Sequence, residues 1–314
     1  MRLIDMHCDT LWRMTEKEGE DLSKNAGCID LEKLEQAGSM AQFFACFIQL
    51  QKAGGAEAGY KKALEMIAYG KQQFETHSHK IGLARNMEDV RKLNEQGRIA
   101  AFLTVEEGGI LNEELERLEQ LYNEGISMIT LMWNHENCIG FPNSVDAHVM
   151  QSGLKSFGIE TVRHMNTLGM YIDVSHMSDG CFWDTLQYSR KPVIASHSNA
   201  RALCSHPRNL SDDMIKGLAE KGGVMGVNFY PYFLNRSGIA TSEDIANHVE
   251  YIYRIAGEDV IAIGTDFDGY DDGVSEVLHI GQMEAVYHAV KRRGFTERQM
   301  DKIWAGNVIR VLNA

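Results

Sequence analysis

Proline is scarce in this chain, with 4 residues in 314, and no low-complexity or linker-like tract interrupts it. That excludes modules strung on Pro-rich spacers and favours one domain over residues 1–314. No window approaches the roughly 20 apolar residues of a membrane span. The start, MRLIDMHCD, lacks the apolar stretch of a secretory signal. No C-x-x-C pair occurs among the six scattered cysteines (Cys8, Cys28, Cys46, Cys138, Cys181, Cys204), which read as reduced thiols. These absences together predict a cytoplasmic protein with no membrane partner. The formal charge is -13 and there is no Lys/Arg-rich run, so nucleic acid is excluded as a partner. No G-x-G-x-x-G follows a strand pattern, which argues against a dinucleotide-binding fold.

What is present is a repeat of short apolar runs and longer amphipathic ones. Strands are expected at Arg2–His7, Ala41–Ile48, Ile99–Val105, Ser127–Trp133, Met170–Val174, Val193–Ser196, Gly223–Phe229 and Val260–Gly264. Helical spacing fills the intervals, for example Glu113–Tyr122, Ser178–Gln187, Asp212–Lys221 and Ile245–Ile255. Ser178, Ser211 and Thr241 stand where helix caps belong. Several strands are apolar on both faces, as a helix-covered parallel sheet requires. Eight units over this length predict a closed (β/α)₈ TIM-type barrel. The long segment from Leu50 to Arg98 reads as a helical insertion between strands two and three.

Catalytic residues of such barrels sit at the carboxyl ends of strands. Five predicted strand ends carry imidazole or carboxylate: His7 and Asp9, Glu106 and Glu107, His176, His197, and Asp266. That residue set suits Zn²⁺ and similar hydrolytic ions. Strand alternation gives His7 and Asp9 a common facing, turns Cys8 toward the outer layer, and leaves Asp5 deeper as a supporting residue. Each piece alone has a bland reading as turn chemistry, a helix cap or a satisfied histidine; their joint placement at one mouth carries the argument. His77, His79, His164, His248, His279 and His288 fall in helical or linking stretches and read as surface or packing residues.

Seven motifs in order extend the pattern: DMHCD (Asp5–Asp9), VEEGG (Val105–Gly109), IDVSH (Ile172–His176), VIASHS (Val193–Ser198), PRN (Pro207–Asn209), VNFY (Val227–Tyr230) and GTDFDG (Gly264–Gly269). With them the chain resembles the membrane (renal) dipeptidases along nearly its whole length. The resemblance implies two zinc ions per chain, one held by His7 and Asp9 and the other by His176 and His197. Glu106 would bridge them, as an ungapped match through Leu121 and Tyr122 selects it over Glu107. It further implies that Asp266 is the catalytic acid/base and that Arg208 and Tyr230 bind the carboxylate of a dipeptide substrate. Tolerance for a D-residue at the carboxyl end and a homodimeric state are implied as well. One departure stands out: where many members have a histidine after strand four, this chain has Trp133, with Asn134 and His135 beside it. Trp133 and His135 are the expected substrate contacts there. The same metal cradle would also serve lactone, cyclic amide or phosphoester hydrolysis. A non-catalytic binding barrel is the remaining alternative, disfavoured because every expected ligand position is filled.

Overall fold

The structure, a computed structural model, describes residues 2–17 and 19–314. Eight strands form a closed ring: β1 (Leu3–Cys8), β2 (Ser39–Phe47), β3 (Ile99–Glu106), β4 (Ile126–Thr130), β5 (Tyr171–Asp173), β6 (Ile194–Ala195), β7 (Val224–Val227) and β8 (Ile261–Ile263). Each pairs in parallel with the next, and β8 returns to β1 through Asp5 opposite Ile263. All eight expected strands are there, so the fold is the TIM-type barrel. Helices start where polar side chains meet free backbone donors. Ser178 accepts from the Cys181 amide, Ser211 from that of Met214, and Thr241 forms a capping box with Asp244.

Two apolar clusters hold the layers. One, with Leu103, Ile129, Ile172 and Val227, lies between the strands and the surrounding helices. The other gathers Ile4, Met6, Phe43, Phe102, Met128 and Val224, with Phe43 and Phe102 stacked at 4.4 Å. Helices Met87–Glu95 and Asn307–Leu312 add Val90, Leu93, Val308 and Val311 to it, which plugs the amino-terminal end of the barrel. The carboxyl end is left for chemistry.

Three details depart from the sequence reading. The insertion is not wholly helical: between helix Ala56–Thr76 and helix Met87–Glu95 lies a strand, Ile81–Leu83, paired with Ile99–Ala101 at the foot of β3. Three residues are too few to leave an alternation signal. Strand β4 stops at Thr130, so Trp133 stands on a loop rather than in the strand. Asn137 causes this: its amide nitrogen donates to the Leu131 carbonyl (3.0 Å), and its oxygen accepts from the amides of Ile139 (2.8 Å) and Gly140 (3.2 Å). The simple alternation along β1 also fails. Met6 and Cys8, two apart, fall in different apolar clusters, and the pairing of β1 with β2 shifts between Asp5 and Cys8.

Candidate metal centre and catalytic cleft

Glu106 ends β3 and projects between two sets of side chains. One of its oxygens, Oε2, lies 3.4 Å from His7 Nε2, which itself stands 3.3 Å from Asp9 Oδ2. The other, Oε1, lies 3.0 Å from His176 Nε2 and 3.5 Å from His197 Nε2. The His176 and His197 Nε2 atoms are 3.0 Å apart, and the His7 and His197 rings stack at 3.7 Å. Two triads of ligand atoms, each within 4.8 Å, therefore share Glu106: His7, Asp9, Glu106 and Glu106, His176, His197. Glu107 turns away. Its backbone is left-handed (φ 105°), and its carboxylate accepts from Asn137 (2.6 Å) and the Gly109 amide (2.8 Å).

The donor set fits cations. Both ring nitrogens of His7 and Oδ1 of Asp9 are buried without a hydrogen-bond partner among the described residues, a costly arrangement unless something else binds them. Burial opposes a proton on His7, yet Glu106 and Asp9 win and raise its pKa well above the usual value. That corner asks for positive charge. His176 and His197 are instead held neutral, mainly by burial and also by positive neighbours such as Arg208, which leaves their imidazoles in the form that binds metal. Burial pushes the Glu106 carboxyl up to about 7, with His7 opposing and Asp9 adding to the rise.

Asp5 supports this cluster from below through backbone rather than through a ligand side chain. It accepts from the Thr265 amide and hydroxyl, both at 2.8 Å, and from Gln42 at 2.9 Å. That ties β1 to the segment carrying Asp266. Asp266 adopts φ 61°, stands 3.8 Å from His7 Nε2 and accepts a 2.8 Å bond from Asn228. Burial, against the pull of His7, raises its carboxyl to about 6. His176 (φ 68°) and Asp268 (φ 66°) share the left-handed backbone, so strain concentrates at these strand ends. Gly269 is needed beside them, because a Cβ there would lie 2.4 Å from Asp9 Oδ2 and 2.7 Å from Asp266 Oδ1.

The cluster opens into a cleft of about 400 Å³ walled by Trp12, Phe47, Trp133, Tyr230, Phe233 and Tyr270, among others. A larger cavity of about 670 Å³ lies alongside and shares Trp12, Phe47, Gln49 and Lys52, but it contains none of the clustered ligands. Trp133 leans on Phe47, with ring centroids 4.9 Å apart. His135 is exposed, packs on Trp133 at 5.7 Å and is not part of the cleft wall. Tyr230 is in the wall, and its hydroxyl donates to Asp272 at 2.8 Å. Arg208 is buried beside Phe233 rather than free in the cleft. Its Nη1 donates to Ser198 Oγ (2.9 Å) and its Nη2 to the His197 carbonyl (2.8 Å), while Nε has no partner among the described residues.

The sequence reading assigns no role to Asp173, Ser196 or Asn228, and names Asn134 only as a neighbour of Trp133. Asn134 Oδ1 sits 3.0 Å from His176 Nδ1, and Ser196 Oγ 2.7 Å from His197 Nδ1. A polar residue placed one before a strand-end histidine, as Ser196 is, was the available signal.

An eight-stranded parallel barrel with this cluster at its carboxyl mouth defines a metal-dependent hydrolase. Known proteins narrow the class. The profile of the membrane dipeptidases (peptidase family M19) matches residues 1–314. An uncharacterised Klebsiella pneumoniae protein from the region 5' of pqqA is 33% identical over 258 residues, covering 79% of this chain and 94% of that protein. An uncharacterised dipeptidase of Schizosaccharomyces pombe is 31% identical over 294 residues, with 90% and 71% covered. A crystal structure of a Rhodobacter sphaeroides metallo peptidase, liganded with a phosphinate mimic of the dipeptide L-Ala-D-Ala, shares the fold. Its TM-score is 0.90 at 23% identity, covering 100% of this chain and 99% of that one. The chain belongs to the membrane dipeptidase family and is a metallopeptidase. No helix among the described residues is long and apolar enough to cross a membrane.

Proposed function

We propose that residues 1–314 form one catalytic unit, a dipeptidase that uses two zinc ions and accepts dipeptides with an L- or D-residue at the carboxyl end. The observation that carries this reading is the division of Glu106: its two oxygens face two separate ligand sets. His7 and Asp9 would hold one ion, His176 and His197 the other, with Glu106 between. Nitrogen and carboxylate donors of this kind suit zinc. Tolerance of a D-residue is supported by family membership and by the L-Ala-D-Ala mimic in the Rhodobacter sphaeroides relative. Six free cysteines suit a reducing compartment, the cytoplasm.

Zinc, when bound, supplies Lewis acidity that brings water ionisation toward neutral pH and polarises the peptide carbonyl. Asp266 takes the proton of the attacking water and delivers it to the leaving amine. A carboxyl raised to about 6 exchanges protons readily near neutrality. Asn228 donates to Asp266 Oδ2 and so keeps Oδ1 aimed toward His7. Arg208 and Tyr230 would anchor the substrate carboxylate, for which a guanidinium fork is well shaped. Trp133 and Phe47 supply an apolar wall.

The test is metal analysis of protein purified without chelator, followed by a panel of L,L and L,D dipeptides against lactones, cyclic amides and phosphoesters. Two zinc equivalents with selective dipeptide turnover are expected. Preferred turnover of another panel class would overturn the substrate assignment, and protein that takes up no metal would overturn the centre.

A further inference from the structure

Asp173 lies near His7 and His197, close enough that the three could be taken for another ion site. Its hydrogen bonds say otherwise. Oδ1 accepts from the Ser175 and Ser196 amides, both at 2.9 Å. Oδ2 accepts from the Thr130 hydroxyl at 2.6 Å and the Ser196 hydroxyl at 2.5 Å. A carboxylate offers about four acceptor positions, and here four donors occupy them. Asp173, Thr130, Ser196 and His197 are all fully buried.

Donor and acceptor identities then fix the protons. A carboxylate saturated by donors cannot give a proton, so the Ser196 hydroxyl donates to Asp173. That turns a Ser196 lone pair toward His197 Nδ1, 2.7 Å away, so Nδ1 carries the hydrogen. The Nε2 lone pair is left facing Glu106 and His176.

We propose that Asp173 and Ser196 are positioning residues for His197: a buried relay that sets its tautomer and ring orientation so that Nε2 meets metal. The proposal rests on the reading of His197 as a ligand. A metal-bound histidine gains affinity when its second nitrogen is held this way, and loss of such a partner costs about 10–100-fold in metal affinity. The relay differs from the support of His176, whose Nδ1 partner Asn134 is an exposed side chain at the cleft wall. Three strands contribute to the relay: β4 through Thr130, β5 through Asp173 and, just past the end of β6, Ser196.

Ser196→Ala is the discriminating variant, because the Ser196 amide bond to Asp173 survives it. Asp173→Asn would set an amide against four donors and threatens folding. Metal-free wild type, Ser196→Ala and Ser196→Thr are titrated with Co²⁺ against a competing chelator, recording the visible d–d spectrum and the melting temperature of each metal-free protein. Ser196→Ala is expected to bind one of two equivalents about 10–100-fold more weakly, with an altered spectrum for that equivalent. Ser196→Thr, which keeps the hydroxyl, should restore both. Wild-type affinities and spectrum in Ser196→Ala would overturn the relay while leaving the dipeptidase reading intact. Equal weakening of both equivalents with a lowered metal-free melting temperature would also overturn it, as a purely structural effect. Wild type that binds no Co²⁺ would sink both the relay and the metal assignment.

Discussion

On the β1 side of the mouth, His7 and Asp9 carry buried polar atoms that no hydrogen bond among the described residues satisfies, and His7 is drawn toward a positive charge. On the β5–β6 side, His176 and His197 are neutral, and each has its Nδ1 held by a neighbouring side chain. On the proposed reading the first half takes a cation to resolve its electrostatics, while the second is already oriented. The difference teaches that one shared carboxylate can join a charge-hungry half-site to a preorganised one. It follows that the halves should respond differently to substitution, and Glu106 is the residue that belongs to both.

The largest effect is expected there. Glu106→Gln removes the carboxylate whose two oxygens face the two sets and should abolish measurable turnover while weakening uptake of both metal equivalents. Retention of one equivalent at wild-type affinity would break the symmetry assumed for the bridge and assign Glu106 to one half alone. Next is Asp266→Asn, which changes no member of either triad. It should keep both equivalents and lower kcat by about 10²–10⁴-fold, the range for loss of a general acid/base. Wild-type kcat in fully loaded Asp266→Asn would remove it from the proton path.

Arg208→Lys sharpens the comparison on the oriented side, because Arg208 both faces a substrate role and holds the His197 carbonyl. A charged hydrogen bond contributes about 1.5–3 kcal/mol, so kcat/KM for free dipeptides should fall roughly 10- to 100-fold. Carboxyl-amidated dipeptides should lose much less. An equal loss for both substrates, with a lower melting temperature, would show Arg208 acting through His197 rather than on the carboxylate.

Most of this was legible in the chain, for local reasons. Eight apolar runs with helical intervals define the barrel, and Ser178, Ser211 and Thr241 announce their cap chemistry without tertiary knowledge. What stayed hidden depends on contacts between distant segments. Nothing near IDVSH says that Asp173 will be saturated by donors from three strand segments. Nothing in VEEGG decides between neighbouring glutamates, because the choice is made by Asn137, 30 residues on, capturing Glu107. Asn137 also shortens β4 and carries Trp133 out of the sheet. The bulge in β1 breaks the alternation, although Cys8 does lie in the outer apolar layer as its facing predicts.

The smallest effect tests how far the rigidity of the oriented side extends behind it. His248, read from sequence as a surface or packing histidine, is buried and neutral: Nδ1 accepts from the Ala200 amide at 3.1 Å and Nε2 faces the Leu234 carbonyl at 2.9 Å. It thereby pins the segment just after His197. Burial lowers its pKa to about 4, from an ordinary value of 6.5. Between those values the unfolded chain binds a proton that the folded protein refuses, so this contribution to stability is present above pH 6.5 and is lost as pH falls toward 4. The raised carboxyls of Glu106 and Asp266 slope the other way, so the informative quantity is the difference between two proteins. Melting temperatures of metal-free wild type and His248→Gln should converge as pH drops from 6.5 to 4, with the wild type ahead at the upper end. A constant gap across that window would mean that His248 supports the β6 side by packing alone, with its proton playing no part.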